Sequence, residues 1–292
     1  MGPAIVRFAT LLLFAMSLVM SSAPQVGAAP QIGPAEDGAR KVNLSGRQRM
    51  LTQRMAKAVC FKAIGIDAGM HDGMAREAHA LFASTLAGLR NGDADLGVLP
   101  TTDPATLEAL SKVDVAWADF GPAVIAALDG DAAAQERVFA TNADILGLSD
   151  AAVGEYVRTV DGSRIEPSLA KAIDVAGRQR MLSQKMAKEF CQIVRGAPGD
   201  MRATMADTAD LFESSHFALL SGDGLEGIAP PPSPDVEYLL LSVAETVSAF
   251  LKPIRAVAGG AAPTDEDIQM VATLNNRILV DMNEAVWLYE NF

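Results

Sequence analysis

The chain has 292 residues, 50% of them hydrophobic and only 5% aromatic, with 36 acidic against 24 basic side chains. The formal charge of −12 argues against nucleic acid or an anionic membrane surface as partner, and two cysteines are too few for a disulfide framework. Low aromatic content, abundant Ala, Leu and Met, and no alternating β-branched run point to an all-helical protein.

Arg7, the apolar run Phe8 to Met20 and the small residues through Val26-Gly27-Ala28 read as a secretory leader cleaved after Ala28, residues 1–28. An uncleaved anchor is the alternative. Losing Arg7 with the leader takes the charge from −12 to −13. No later apolar stretch has spanning length, so the expectation is a periplasmic protein with no direct membrane insertion after cleavage. Four helices follow. The first runs from about Lys41 to Ile64 with Leu44, Gln48, Leu51, Met55 and Val59 on one stripe. The second covers about Asp72 to Arg90 and stops at Asn91-Gly92. The third starts at Asp103-Pro104, carries Leu107, Leu110, Val113 and Trp117, and should kink or divide at Gly121-Pro122. The fourth spans about Ala132 to Val160, with Val138, Asn142, Ile145, Ala152 and Tyr156 inward. After a linker at Gly162 to Pro167 come helices at about Ser168–Arg195, Asp200–Leu220, Pro234–Val257 and Thr264–Glu290. Pro230-Pro231-Pro232 lengthens the connection before the third of these into an extended spacer.

The second set of four repeats the first. Gly46-Arg-Gln-Arg-Met-Leu-Thr-Gln-Arg-Met-Ala-Lys-Ala-Val-Cys60 recurs as Gly177-Arg-Gln-Arg-Met-Leu-Ser-Gln-Lys-Met-Ala-Lys-Glu-Phe-Cys191, identical at eleven of fifteen positions. Fainter echoes pair Leu81-Phe82 with Leu211-Phe212, Phe120 with Phe250, and Tyr156 with Tyr289. An offset of 131 residues is too long for a solenoid and suits two copies of a small domain. Short connections make sequential helices antiparallel neighbours. The fold class is therefore all-α: two tandem up-down four-helix bundles, residues 36–161 and 166–292, related by an approximate two-fold axis.

The repeated string, followed by a Leu-Phe helix and an aromatic third helix, resembles the PilJ-type sensor domain of type IV pili methyl-accepting chemotaxis transducers. That domain is similar to the periplasmic sensor domain of nitrate/nitrite sensor kinases, in which the matching segment binds nitrate between two symmetry-related helices. The resemblance implies an exported sensor that binds a small inorganic anion, nitrate- or nitrite-like, and reports to a membrane receptor, sensor kinase or transporter. It places arginines at Arg49 and Arg180, and the anion-contacting cation at Arg54 and Lys185. The middle of the motif, Leu-Thr-Gln and Leu-Ser-Gln, is nearer the chemotaxis branch than the nitrate branch. Two cations near a pseudo-two-fold axis suit a small planar anion, Arg bidentately and Lys as a point charge. It puts the two first helices face to face, with Met50, Arg54, Lys57 and Phe61 on one flank and Met181, Lys185, Lys188 and Gln192 on the other.

Each of these residues has an ordinary reading as well. Arg54 and Lys185 on helices of an acidic protein can be solvated ion pairs, and Arg49 and Arg180 can tie each first helix to acids of its own bundle. Cys60 and Cys191 are either a structural disulfide across the axis, which an exported protein can keep, or two small side chains in separate cores. Gln48 with Asn142, and Gln179 with Asn275, interrupt apolar stripes and are expected to satisfy each other inside each bundle. His71, His79 and His216 lack partners at metal-ligand spacing, no phosphate loop or nucleophile elbow occurs, and the chain is read as neither an enzyme nor a cofactor carrier. A helical scaffold that has lost its pocket is the alternative function.

Overall fold

In the computed structural model, residues 32–159, 166–197 and 200–292 are described, and all eight elements among them are α-helices. They are α1 (Pro34–Ala63), α2 (Ala68–Asn91), α3 (Pro104–Leu128), α4 (Ala132–Thr159), α5 (Pro167–Val194), α6 (Met201–Ser221), α7 (Pro234–Ala258) and α8 (Asp265–Glu290). The leader expected over residues 1–28, and residues 162–165 of the linker, lie outside the described residues. No described helix is long and apolar enough to cross a membrane.

Helices α1–α4 and α5–α8 form two bundles, and their first helices pack side by side along much of their length. That contact merges the two: Ile32–Phe292 is one compact unit with one continuous apolar core. It also changes what α1 and α5 must be. A helix facing its own bundle on one side and its duplicate on another has no solvent stripe, and from Ser45 to Phe61 only Arg47 and Arg54 escape full burial.

The boundaries hold local lessons. α1 begins seven residues before the expected Lys41, because Pro34 suits a first turn and Glu36 and Asp37 meet the positive end of the helix dipole. α3 is not divided at Gly121-Pro122; it continues to Leu128, and α7 likewise runs through Pro253. Packing of the apolar face on both sides of each proline outweighs one lost hydrogen bond. The α6–α7 connection is not the longer one: Gly222–Ser233 matches Gly92–Asp103 residue for residue. Each closes with an isolated antiparallel bridge, Asp93 to Val98 and Asp223 to Ile228, after a glycine at φ +79° or +74° over which Pro100 or Pro230 packs.

Candidate functional site

Equivalent residues of α1 and α5 meet at several levels, so the two helices run parallel and the pseudo-two-fold axis lies along them. At the C-terminal end Cys60 and Cys191 are disulfide-bonded, with Cα atoms 6.2 Å apart. In the middle, two lysines cross over: Lys57 Nζ donates to Asn275 Oδ1 on α8 at 2.7 Å, and Lys188 Nζ donates to Asn142 Oδ1 on α4 at 2.8 Å. Toward the N-terminal end lie Gly46 and Gly177, and here the two arginines of the repeat converge. A Cβ on Gly46 would stand 3.3 Å from Arg49 Nη2 and 3.8 Å from Arg180 Nη2; one on Gly177 would stand 3.2 Å from Arg180 Nη2 and 3.7 Å from Arg49 Nη2. Glycine at both positions is what lets two guanidinium groups enter between the helices.

The lysine crossings overturn the expected amide pairs. All four amides are buried, but Gln48 donates to the Phe82 carbonyl and Gln179 to Ser215 Oγ. Asn142 and Asn275 accept instead from a lysine of the other copy. A charged donor forms the stronger bond, and leaving an ammonium unpaired in the core would cost more than leaving an amide oxygen with one bond fewer. Burial, with Arg54 nearby, holds Lys57 well below the ordinary lysine range. Burial pushes Lys188 down to about 8, Glu189 opposing and Lys185 assisting.

The arginine pair is chemically lopsided. Arg49 Nη1 bonds Asp150 of α4 and its Nη2 bonds Asp174 of α5, both at 2.6 Å. Asp174 also accepts from Arg178 at 3.1 Å. Burial alone would raise the Asp174 carboxyl, but Arg49 and Arg178 outweigh it and hold it low; burial likewise opposes the charge on Arg49, and its two carboxylates outweigh that. Arg180 occupies the equivalent place, and no carboxylate among the described residues is in contact with it. Its Nη1 bonds Asn283 Oδ1 at 3.1 Å and its Nη2 bonds Asn43 Oδ1 at 2.9 Å. Asn43 and Asn283 are the counterparts of Asp174 and Asp150 under the repeat, so two acids in one half-site are two amides in the other. Burial, followed by Arg47 and Arg49, pushes Arg180 down to about 9, with Glu290 acting against them. Glu290 reaches it only by relay, since Asn43 Nδ2 donates to Glu290 Oε2 and Arg40 holds Oε1 at 2.6 Å. The Nε of neither arginine has an acceptor among the described residues, so the difference between the two lies in their Nη partners.

Of the four cations singled out in the sequence, then, Arg49 and Arg180 converge and the others turn outward. Arg54 reaches Glu77 on α2 at 3.4 Å, and Lys185 reaches Thr208 on α6 at 2.6 Å and Glu189 on its own helix at 2.5 Å. Each serves its own bundle. Arg49 does tie α1 to an acid of its own bundle, as the ordinary reading had it, but it bridges to the second copy as well, and Arg180 finds amides rather than acids. A groove of about 450 Å³ lies elsewhere, between α6 and α7. Another, of about 380 Å³, runs between α4, α5 and α6, and Asp150, Arg178, Lys185 and Lys188 line it. Two of those residues, Asp150 and Arg178, also belong to the arginine cluster. Asn43, Asp150, Asp174 and Asn283 were not singled out in the sequence. Aligning the two copies beyond the conserved string would have exposed them as the positions where acid and amide exchange. No group of three His, Cys, Asp or Glu suited to a metal ion occurs among the described residues.

Comparison with known proteins places this geometry in a family. Residues 34–141 and 164–272 each match PilJ, the "Type IV pili methyl-accepting chemotaxis transducer N-term" domain. The methyl-accepting chemotaxis protein McpN of Pseudomonas aeruginosa is 31% identical over 118 residues, which is 40% of this chain. The chain spans only 22% of that relative's length. With two matches that together cover most of its length, this chain belongs to the PilJ family, as a tandem of two copies of a chemotaxis-transducer sensor domain.

Proposed function

We propose that the chain is an exported periplasmic sensor that binds a small oxyanion of the nitrate or nitrite class between α1 and α5, with Arg180 as the principal ligand and Arg49 beside it, and signals occupancy to a membrane partner. The observation that supports this most directly is Arg180: a buried guanidinium with two amide acceptors and, among the described residues, no carboxylate in contact. Burying an unpaired cation is costly, and a planar anion accepting from both arginines would offset that cost through charge-assisted bonds. The tandem supplies within one molecule the interface that a single-domain sensor would make by dimerising. Occupancy would draw the α1 and α5 backbones together at the glycine level. Fourteen residues further along, roughly 21 Å at helical rise, the disulfide holds the same pair fixed, so the change would appear as a tilt about that pivot.

One observation favours the scaffold reading. Asp174 already sits against Arg49 and can serve as an internal anion for that half-site. Calorimetric titration with nitrate, nitrite and other small oxyanions separates the two. Saturable binding that Arg180→Met abolishes while the helical spectrum and melting cooperativity persist supports the sensor; no heat with any oxyanion sinks it. Arg49→Met is the contrasting variant. It leaves the buried Asp174 with Arg178 as its one remaining ion-pair partner among the described residues and is expected to destabilise by about 2–3 kcal/mol, whereas Arg180→Met removes an uncompensated charge and should leave stability equal or higher.

A further inference from the structure

The two lysines that cross the axis are not equally provided for. Lys57 Nζ donates to Asn275 Oδ1 at 2.7 Å and to Asn276 Oδ1 at 2.9 Å, and the residue is fully buried. Lys188 Nζ has the first of these bonds, to Asn142, but under the repeat Ala143 stands where Asn276 supplies the second. One turn on, Gly147 stands in place of Val280. An ammonium has three donors, so Lys188 has one acceptor where its twin has two, and it is 8% exposed where its twin is 0%. Lys188, Ala143 and Gly147 all line the groove of about 380 Å³ between α4, α5 and α6. A Cβ on Gly147 would meet nothing within 4 Å, so the glycine leaves open space that packing does not demand. The volume is within the usual range for a small-molecule site.

The groove differs from end to end. Asn142 bonds Lys188 at one end, while Asp150 and Asp174 share Arg49 toward the other. At the second end Asp174 engages Arg178, and Asp150 adds a carboxylate of its own. At the first, Lys185 is engaged by Glu189 and Thr208, whereas Lys188 touches no carboxylate among the described residues. Leu146, Met181 and Leu211 line the groove as well, and Leu211 is 44% exposed. Ala143 and Asp150 are two turns apart, roughly 10 Å at helical rise, which leaves length for a short acyl chain. A second acid group on the ligand would meet Asp150, so the arrangement suits one negative charge with an apolar tail.

We propose that this groove is a second ligand site, for a small aliphatic monocarboxylate. Its carboxylate accepts from Lys188 in the place that Asn276 fills for Lys57, and its hydrocarbon chain lies on Leu146, Met181 and Leu211. The first copy carries the second acceptor on its own α8. The second copy takes it from a free molecule, through a charge-assisted bond.

The test titrates the full chain with hexanoate by calorimetry. Saturable binding is expected. Ala143→Asn with Gly147→Val rebuilds the first-copy face at two exposed helix positions and should weaken binding about tenfold. Lys188→Met keeps the apolar wall, removes the ammonium and should weaken it by about tenfold or more. Arg180→Met, which disables the oxyanion site between α1 and α5, should leave hexanoate affinity unchanged, so the failure of either site is read separately. No saturable binding, or equal affinity in wild type and both groove variants, overturns the proposal. Loss of hexanoate binding in Arg180→Met overturns it too, by placing the carboxylate between α1 and α5, and equal affinity for neutral 1-hexanol rules out the pairing with Lys188.

Discussion

Lys188 is the side chain whose charge depends most directly on where the second copy sits. Its ammonium is buried against Asn142 of the first copy, with its pKa pushed down to about 8 by burial. The sign of the effect on stability follows from where the proton prefers to be. Below about 8 both states hold the proton, and the folded protein bears the full cost of the buried charge. As pH climbs from there toward the ordinary lysine value of 10.5, the folded state has released a proton that the unfolded chain still holds, so stability rises with pH. Lys57 and Arg180 are displaced in the same direction. Tyr156, raised to about 12, acts oppositely once an unfolded tyrosine begins to ionise near 10, which bounds the useful window. Between pH 7.5 and 9.5 the Lys188 contribution is on the order of 2 kcal/mol. Urea midpoints of wild type and Lys188→Met, measured at both pH values, check it. The variant should lose part of the upward slope, and identical slopes would refute the assignment.

At the scale of the helix, the glycines decide whether two arginines can share the space between α1 and α5. Gly177→Ala should raise helix stability by about 1 kcal/mol on propensity alone. Its Cβ, 3.2 Å from Arg180 Nη2, also forces that guanidinium to shift by a few tenths of an ångström. The expected outcome is an unchanged or higher melting temperature together with about tenfold weaker oxyanion binding; undiminished affinity would place the site elsewhere. This level also shows what could be read in the sequence. Element number, order and type followed from helical periodicity and from the repeat, because both are local. Which cation faces the axis did not. Arg49 and Arg54 are about 140° apart around a helix, and α1 is buried on nearly every side, so no single apolar stripe marked the flank turned toward α5. The amide pairs failed for a related reason. The partners that displaced them, Lys57 and Lys188, come from the other copy, and no periodicity within a bundle can reveal a donor outside it.

The whole molecule is two copies of one domain that cannot be separated without exposing α1 and α5, and the disulfide acts on that unit through its unfolded chain. Cys60 and Cys191 are 131 residues apart, so the bond removes much of the freedom of the unfolded state, which the chain-entropy model puts at about 5 kcal/mol. Folded-state contributions are smaller: both positions are fully buried in the common core, and alanine in each place loses only two small sulfur atoms. Cys60→Ala with Cys191→Ala should therefore unfold at a lower denaturant midpoint, by roughly 3–5 kcal/mol. It should still unfold in one transition, because Ile32–Phe292 remains a single unit with a shared core. Equilibrium denaturation followed by circular dichroism and by Trp117 and Trp287 fluorescence reads both parts, since one tryptophan lies in each copy. Coincident transitions displaced to lower denaturant are expected. If the two signals separate in the variant, the copies fold independently and the covalent bond, not the α1–α5 contact, is what couples them.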